Sequence, residues 1–148
     1  MKICSLLPSG TEIAFALGLG DQVVGVSDIC DHPPEARTKH VACRGLVDTS
    51  VLTSREVEQK IREYTDAGES TYEIDTEWLD STRPDLILTQ DLCYVCDVDA
   101  GQVFQAVDGF NAQPQVLVLS PKTVPEIYDN ILEVAQAAGV PDRAQALV

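Results

Sequence analysis

Two cysteines three residues apart, Cys93 and Cys96, follow an apolar run that is typical of a buried strand. The C-x-x-C spacing occurs in redox-active dithiols and in metal sites. A redox pair usually opens a helix, because the helix start lowers the pKa of the thiol. Here Asp91, Asp97 and Asp99 surround the pair instead, and negative neighbours raise the pKa of a thiol. The pattern therefore favours the wall of a binding cleft, and a cytoplasmic redox or metal-binding protein using Cys93 and Cys96 is kept as the alternative.

A second set of side chains that can bind metal comprises Cys30, His32, His40 and Cys43. Cysteine thiolates and histidine nitrogens are the usual ligands of tetrahedral zinc. Their spacing differs from that of zinc fingers, because ligands only one residue apart chelate one ion only in a particular loop geometry. A metal site at these four residues is therefore an alternative, and we expect Cys30 and Cys43 to pack as small apolar residues. His32 then lies at the surface or lines a cleft.

Residues 8–12, with the sequence PSGTE, have the pattern of a helix start. Ser9 fits the N-cap and Glu12 the reciprocal position of a capping box. Exposed amides at such a start can also receive an acidic group of a ligand. The sequence shows no phosphate loop, no Ser-His-Asp set and no clear acid–base pair. We therefore predict that the protein is not an enzyme and needs no cofactor.

The composition narrows the class of protein. The chain has 148 residues, enough for one domain with a single core. Apolar residues make up 45% and charged residues 23%, which is typical of a folded globular protein. A net charge of −14 argues against nucleic-acid binding, because that binding uses Lys and Arg to neutralise phosphates. Residues 8–12 interrupt the first apolar run, so we predict neither a leader nor a membrane span.

Apolar periodicity divides the chain into alternating strands and helices. We predict strands at residues 2–7, 21–26, 70–74, 86–90 and 115–120. We predict helices after residue 9, after residue 53, over 75–81, over 101–107 and after residue 123, and a further helix that begins in 140–148. Residues 27–52 are predicted to form a loop. The helix after residue 123 should bury one apolar face, formed by Ile127, Ile131, Ala135 and Ala138.

Alternating strands and helices predict an α/β fold, a parallel sheet with helices on both faces. In open parallel sheets, ligands bind beyond the carboxyl ends of the strands. This rule selects three loops as parts of a ligand site, at residues 8–11, 27–44 and 90–99.

The run SLLPSGTEIAFALGLGDQVVGVSDICDHPPEA resembles the opening of the cobalamin and ferric-siderophore type substrate-binding proteins of ABC importers. That family has a similar S-L-x-P-S-x-T-E segment, followed by G-V-[ST] and D-[YH]-P-P. The run RPDLILTQDLCYVC continues the likeness and is similar to a cobalamin-binding branch. The resemblance extends from Ile3 to about Val140.

The resemblance implies one lobe of a two-lobed periplasmic-binding-protein fold, with the ligand between the lobes. Residues 1–140 would be the N-terminal ligand-binding lobe, and residues 141–148 the truncated start of the inter-lobe helix. The ligand would be cobalamin-like or another metal chelate, such as haem or a ferric siderophore. The residues carried over to its site are Pro8, Ser9, Asp31, His32, Gln90, Asp91, Leu92, Cys93, Tyr94 and Cys96. Tyr94 would supply an aromatic wall, and Gln90 occupies a position where cobalamin binders can carry a tryptophan.

The resemblance also implies partners and a location. Members of the family dock on an ABC permease through a surface carboxylate on each lobe, and Asp97 or Asp99 is the nearest candidate here. A lone lobe exposes apolar surface, so we expect a possible dimer through that face. The family works in an extracytoplasmic or membrane-associated location, whereas a chain without a leader is also compatible with the cytoplasm.

Overall fold

The computed structural model describes residues 1–91 and 100–148. Within them, one six-stranded sheet contains β1 (Ile3–Ser5), β2 (Val23–Ser27), β3 (His40–Gly45), β4 (Tyr72–Ile74), β5 (Leu86–Thr89) and β6 (Gln115–Val118). The helices are α1 (Pro8–Ala16), α2 (Ser54–Ala67), α3 (Thr76–Thr82), α4 (Ala100–Val107), α5 (Val124–Ala137) and α6 (Pro141–Ala144). In the part of the chain described, no helix has the length and apolar character needed to cross a bilayer.

The sheet order is β4-β3-β2-β1-β5-β6, and every neighbouring pair is parallel except β3 with β4. The α/β class is confirmed, with an antiparallel strand at one edge. Alternate residues of β5 enter two separate cores, since Leu86 and Leu88 belong to one cluster and Ile87 to the other. Helices α1, α5 and α6 cover the first core, and α3 and α4 cover the second. Helices on both faces are thus confirmed.

The first helix begins earlier than the sequence pattern predicts. Leu7 is the N-cap of α1 and Pro8 opens its first turn, whereas Ser9 lies inside the helix and is exposed. The capping box at Ser9 is therefore wrong. A proline at the first position needs no N–H partner and has its φ already set for a helix, so the start needs no side-chain cap.

The predicted loop over residues 27–52 contains a strand, β3, and a 3-10 helix over 34–38. The prediction was wrong because β3 has no run of large apolar residues. Its buried positions are occupied by Ala42 and Cys43. Pairing with β2 on one side and β4 on the other stabilises this strand, and neither contact is visible in the local sequence.

The predicted starts of α2 and α5 are confirmed. At α2, Thr53 and Glu56 form the full capping box, and at α5 the Thr123 hydroxyl accepts the Glu126 N–H. The predicted buried face of α5 is confirmed for Ile131, Ala135 and Ala138, which pack on the first core, whereas Ile127 is 43% exposed. Asn130 and Val134 are buried in addition.

Candidate functional site

The carboxyl ends of β1, β2, β3, β5 and β6 lie at one edge of the sheet, because these strands are parallel. We call this the carboxyl edge; it comprises the residues that directly follow Ser5, Ser27, Gly45, Thr89 and Val118. Ligands of open α/β sheets bind at such an edge. The residues predicted from the sequence can therefore be placed by the strand that each one follows.

The start of α1 and the end of β5 come together at the carboxyl edge. The N–H of Leu6 donates to the carbonyl of Leu88 (2.9 Å), and this bond holds the approach to α1 beside β5. Pro8 and Gln90 are half-buried, whereas Ser9 and Asp91 are exposed. The tertiary structure thus brings the first and third predicted loops to adjacent strands.

Ser120 is a polar residue of this edge that the sequence interpretation missed. It follows β6, and its Oγ accepts the backbone N–H of Asp91 at 3.0 Å. A second bond, from the N–H of Leu119 to the carbonyl of Thr89 (2.7 Å), continues the β5–β6 ladder past the strand ends. The two bonds fix the backbone direction in which the chain leaves β5. A serine at the end of a predicted strand was the signal available in the sequence.

The ends of β2 and β3 are joined by Asp28. Its carboxylate accepts the N–H of Gly45 at 2.9 Å, and its own N–H donates to the carbonyl of Cys43 at 2.9 Å. The residues that follow, Ile29 and Leu46, are 45% and 43% exposed. Two large apolar side chains are thus partly exposed near the ends of adjacent strands. The sequence interpretation missed both, because residues 27–52 were predicted as a loop and β3 gave no strand signal.

Asp31 and His32 are both exposed. The carboxylate of Asp31 lies 3.4 Å from the guanidinium of Arg37, and each side chain is 68% exposed, so this pair adds little stability. His32 lines a groove along α1 together with Glu12 and Phe15. The predicted second loop therefore reaches toward the side of α1 as well as along the strand ends.

The alternative metal site at Cys30, His32, His40 and Cys43 is not assembled. Cys30 packs in the core cluster covered by α1, whereas Cys43 packs in the cluster on the opposite face of the sheet. The Nε2 of His40 is 3.0 Å from the carboxylate of Asp75. Over residues 1–91 and 100–148, no group of three or more His, Cys, Asp or Glu side chains could hold a metal ion.

Cys30 and Cys43 pack as small buried side chains, as predicted. The Sγ of Cys30 lies 3.2 Å from the hydroxyl oxygens of both Thr11 and Ser27, which joins α1 to the end of β2. Cys4 is also fully buried, and burial raises the pKa of its thiol well above the ordinary range, with the nearby thiols of Cys43 and Cys30 adding to the shift. The Cys4 thiol therefore stays protonated, and all three cysteines are buried structural side chains.

Trp78, on α3, is partly buried and packs against the second core. Its ring stacks on the imidazole of His40, with the centroids 4.3 Å apart and the planes 13° from parallel. Asp75 is the N-cap of α3 and accepts the N–H of Trp78 at 2.9 Å, and this bond and the contact with His40 lower the pKa of its carboxyl. The cluster ties α3 to β3.

Six residues of the predicted site lie outside the described residues. They are Leu92, Cys93, Tyr94, Cys96, Asp97 and Asp99. Their roles in ligand binding and permease docking stay predictions.

Curated proteins match this chain over a short segment of its sequence. The curated vitamin B12-binding protein of Vibrio cholerae is 57% identical over 35 residues, which are 24% of this chain and 13% of that protein. A Bacillus subtilis protein named as an uncharacterised ABC transporter substrate-binding lipoprotein is 58% identical over 36 residues, covering 24% and 12% of the two chains. These matched segments are a small part of either relative.

Solved structures match over nearly the whole chain. The periplasmic vitamin B12 binding protein of Vibrio cholerae superposes with a TM-score of 0.64 and 26% identity, covering 98% of this chain and 44% of that one. A possible iron-binding periplasmic protein of Staphylococcus epidermidis has a TM-score of 0.66 and 24% identity, covering 99% and 45%. A periplasmic heme-binding protein of Pseudomonas aeruginosa has a TM-score of 0.65 and 20% identity, covering 98% and 40%. This chain therefore spans less than half the length of these structures.

A family model described as periplasmic binding protein matches residues 3–148. The match covers every described element of the sheet, from β1 to β6, and both sets of covering helices. It agrees with the structural superpositions, which are with periplasmic binding proteins. The chain belongs to the periplasmic binding protein family.

Proposed function

We propose that this chain is the N-terminal ligand-binding lobe of the substrate-binding component of an ABC importer. The observation that carries the proposal is the family match over residues 3–148. The relatives named for vitamin B12 or heme binding, and the lipoprotein named for an ABC transporter, support the importer role. The ABC permease is then the macromolecular partner, and the working location is outside the cytoplasmic membrane. The comparisons lend no support to a redox or metal-binding role for Cys93 and Cys96.

The ligand class that we propose is a cobalamin-like molecule or another metal chelate, such as haem or a ferric siderophore. Such ligands are large and carry broad apolar faces, so their site needs apolar walls with a few polar groups at the rim. The carboxyl edge has both kinds of surface. Ile29 and Leu46 are exposed apolar side chains at the ends of β2 and β3. Ser9 in α1, and Gln90 and Asp91 after β5, supply polar groups.

The test is a titration with cyanocobalamin, haemin and ferrichrome, followed by the absorbance of each ligand. We expect a saturable change in absorbance with at least one ligand, because Ile29 and Leu46 can cover part of the ligand's apolar surface. Leu46→Asp should weaken this binding about tenfold or more, since a charge would be desolvated against the ligand. The matched control is Leu132→Asp on α5. Leu132 is 41% exposed, close to the 43% of Leu46, and it lies in the middle of a helix instead of at a strand end.

The control variant should bind as the unmodified chain does. Circular dichroism spectra of both variants establish that each is folded. No saturable change with any of the three ligands, or equal weakening by Leu46→Asp and Leu132→Asp, would contradict the proposed site.

A further inference from the structure

A groove of about 930 Å³ runs along the outer side of α1. Its apolar lining comes from Ile13 and Phe15 on α1, Ile131 on α5 and Leu147 near the C-terminal end. Cavities of roughly 300–1,000 Å³ with an apolar lining and a few polar groups are the usual binding sites of small molecules. Of the described residues assigned above to the ligand site, His32 alone also lines this groove. The groove is therefore a separate concave surface.

The charged side chains of the groove are mainly acidic. Glu12, Asp21 and Glu35 line it and are exposed, so their carboxylates are available to a bound molecule. One lysine, Lys39, also lines it, and its Nζ donates to the carbonyl of Gly20 at 2.8 Å. Three carboxylates face one ammonium group that already has a protein partner. The charge of the groove thus complements a cation.

The position of Lys39 shows that the groove accommodates an ammonium group. Its Nζ lies 5.9 Å from the centre of the Phe15 ring while it donates to the Gly20 carbonyl. An aromatic face and a carbonyl oxygen both attract positive charge. Phe15 is half-buried, so part of its ring still faces the groove. Because the Gly20 carbonyl is taken by Lys39, the lining offers a further cation the remaining exposed part of the Phe15 ring and the carboxylates.

We propose that this groove binds an organic cation with an apolar body. The apolar part would cover Ile13, Phe15 and Ile131, and the positive charge would lie near the carboxylates at the rim. This second site goes beyond the proposed function, which concerns the carboxyl edge of the sheet.

The test uses tetraphenylphosphonium, a lipophilic cation, and tetraphenylborate, an anion of nearly the same size and shape. Titration of ¹⁵N-labelled protein should shift the amide signals of groove residues such as Phe15 and Glu35 with the cation. The anion should bind at least about tenfold more weakly, because it meets three carboxylates. Cation binding should also weaken as salt is added, since exposed charges are screened.

The test variant is the triple substitution Glu12→Gln, Asp21→Asn and Glu35→Gln. It should weaken cation binding about tenfold, because each exposed charge contributes a small factor and three are removed. The matched control removes three exposed carboxylates elsewhere, through Asp66→Asn, Glu69→Gln and Asp108→Asn. The control changes the net charge of the protein by the same amount and should leave cation binding unchanged.

The proposal is overturned if neither probe shifts the groove signals, if cation and anion bind equally, or if both triple variants weaken binding to the same extent. Groove signals that shift on dilution but not with the cation would show that a second copy covers the groove, which also overturns it. Leu46→Asp should leave cation binding unchanged. Failure of the carboxyl-edge site and failure of this groove are therefore distinguishable.

Discussion

Replacing Gly25 with alanine would place a methyl group against the indole ring of Trp78. Gly25 is buried in β2, and an added Cβ would lie 2.5 Å from Cη2 and 2.8 Å from Cζ3 of Trp78. The indole is held in place because it stacks on the imidazole of His40. The Cβ of Ala42 would lie 3.3 Å from the new methyl group. The methyl group must therefore displace the ring or move β2.

The expected loss follows from two opposing effects. Adding a methyl group to a filled core destabilises a protein by about 1–3 kcal/mol. Alanine has fewer unfolded conformations than glycine, and this difference offsets about 0.4–1 kcal/mol of the loss. We therefore expect Gly25→Ala to lower the free energy of unfolding by about 1–2 kcal/mol. In a chain of this length, such a loss lowers Tm by about 3–8 °C.

Urea unfolding followed by circular dichroism measures this change in the free energy of unfolding. Trp78→Phe provides the matched background, because a phenyl ring lacks the indole carbons that the methyl group would meet. In that background Gly25→Ala should cost at most about half as much, which a double-mutant cycle would show. Equal costs in the two backgrounds, or wild-type stability of Gly25→Ala, would refute the packing explanation.

Two further predictions concern titratable groups. Cys4, Cys30 and Cys43 are buried, so iodoacetamide should leave them unmodified in the native protein and label them after unfolding in urea. Mass spectrometry of peptides measures this labelling, and rapid labelling of Cys4 in the native protein would contradict its burial. A hydrogen bond from a backbone N–H at the start of α3 lowers the pKa of the Asp75 carboxyl. The ionised carboxylate therefore stabilises the fold above about pH 4, and this stabilisation is lost as the pH falls through the lowered pKa. Asp75→Asn should therefore reduce the free energy of unfolding at pH 7 by at most about 1 kcal/mol, because the side chain is partly exposed. The difference in stability between the variant and the unmodified protein should shrink below about pH 4. A stability difference independent of pH would contradict this assignment.

Local patterns in the sequence predicted most of the elements. Continuous apolar runs marked β1, β2, β5 and β6, because each of these strands has helices on both faces or is packed beside such a strand. Capping residues marked the starts of α2 and α5, because a cap depends on side chains only three residues apart. The alternation of these elements gave the α/β class, and the motif series gave the family.

The candidate site was only partly predictable. The rule for parallel sheets predicted that the loops of Ser9 and Gln90 lie at the carboxyl edge, since the rule depends on strand direction alone. The same reasoning missed Ile29, Leu46 and Ser120. Whether a residue after a strand is covered or exposed depends on which strand lies beside it, and the order β4-β3-β2-β1-β5-β6 is not encoded in any local pattern.

The sequence by itself determined the apolar runs of most strands and the starts of α2 and α5, because both depend on neighbours within a few residues. Only the tertiary structure decided that β3 forms from small residues between two strands, and that Cys30 and Cys43 lie on opposite faces of the sheet. The residue types of Cys30, His32, His40 and Cys43 suggested a metal site, but Cys30 lies in the loop after β2 and Cys43 in β3, and the sheet separates their two thiols. Such distances are set by the strand order and the pleat of the sheet, which sequence spacing does not reveal.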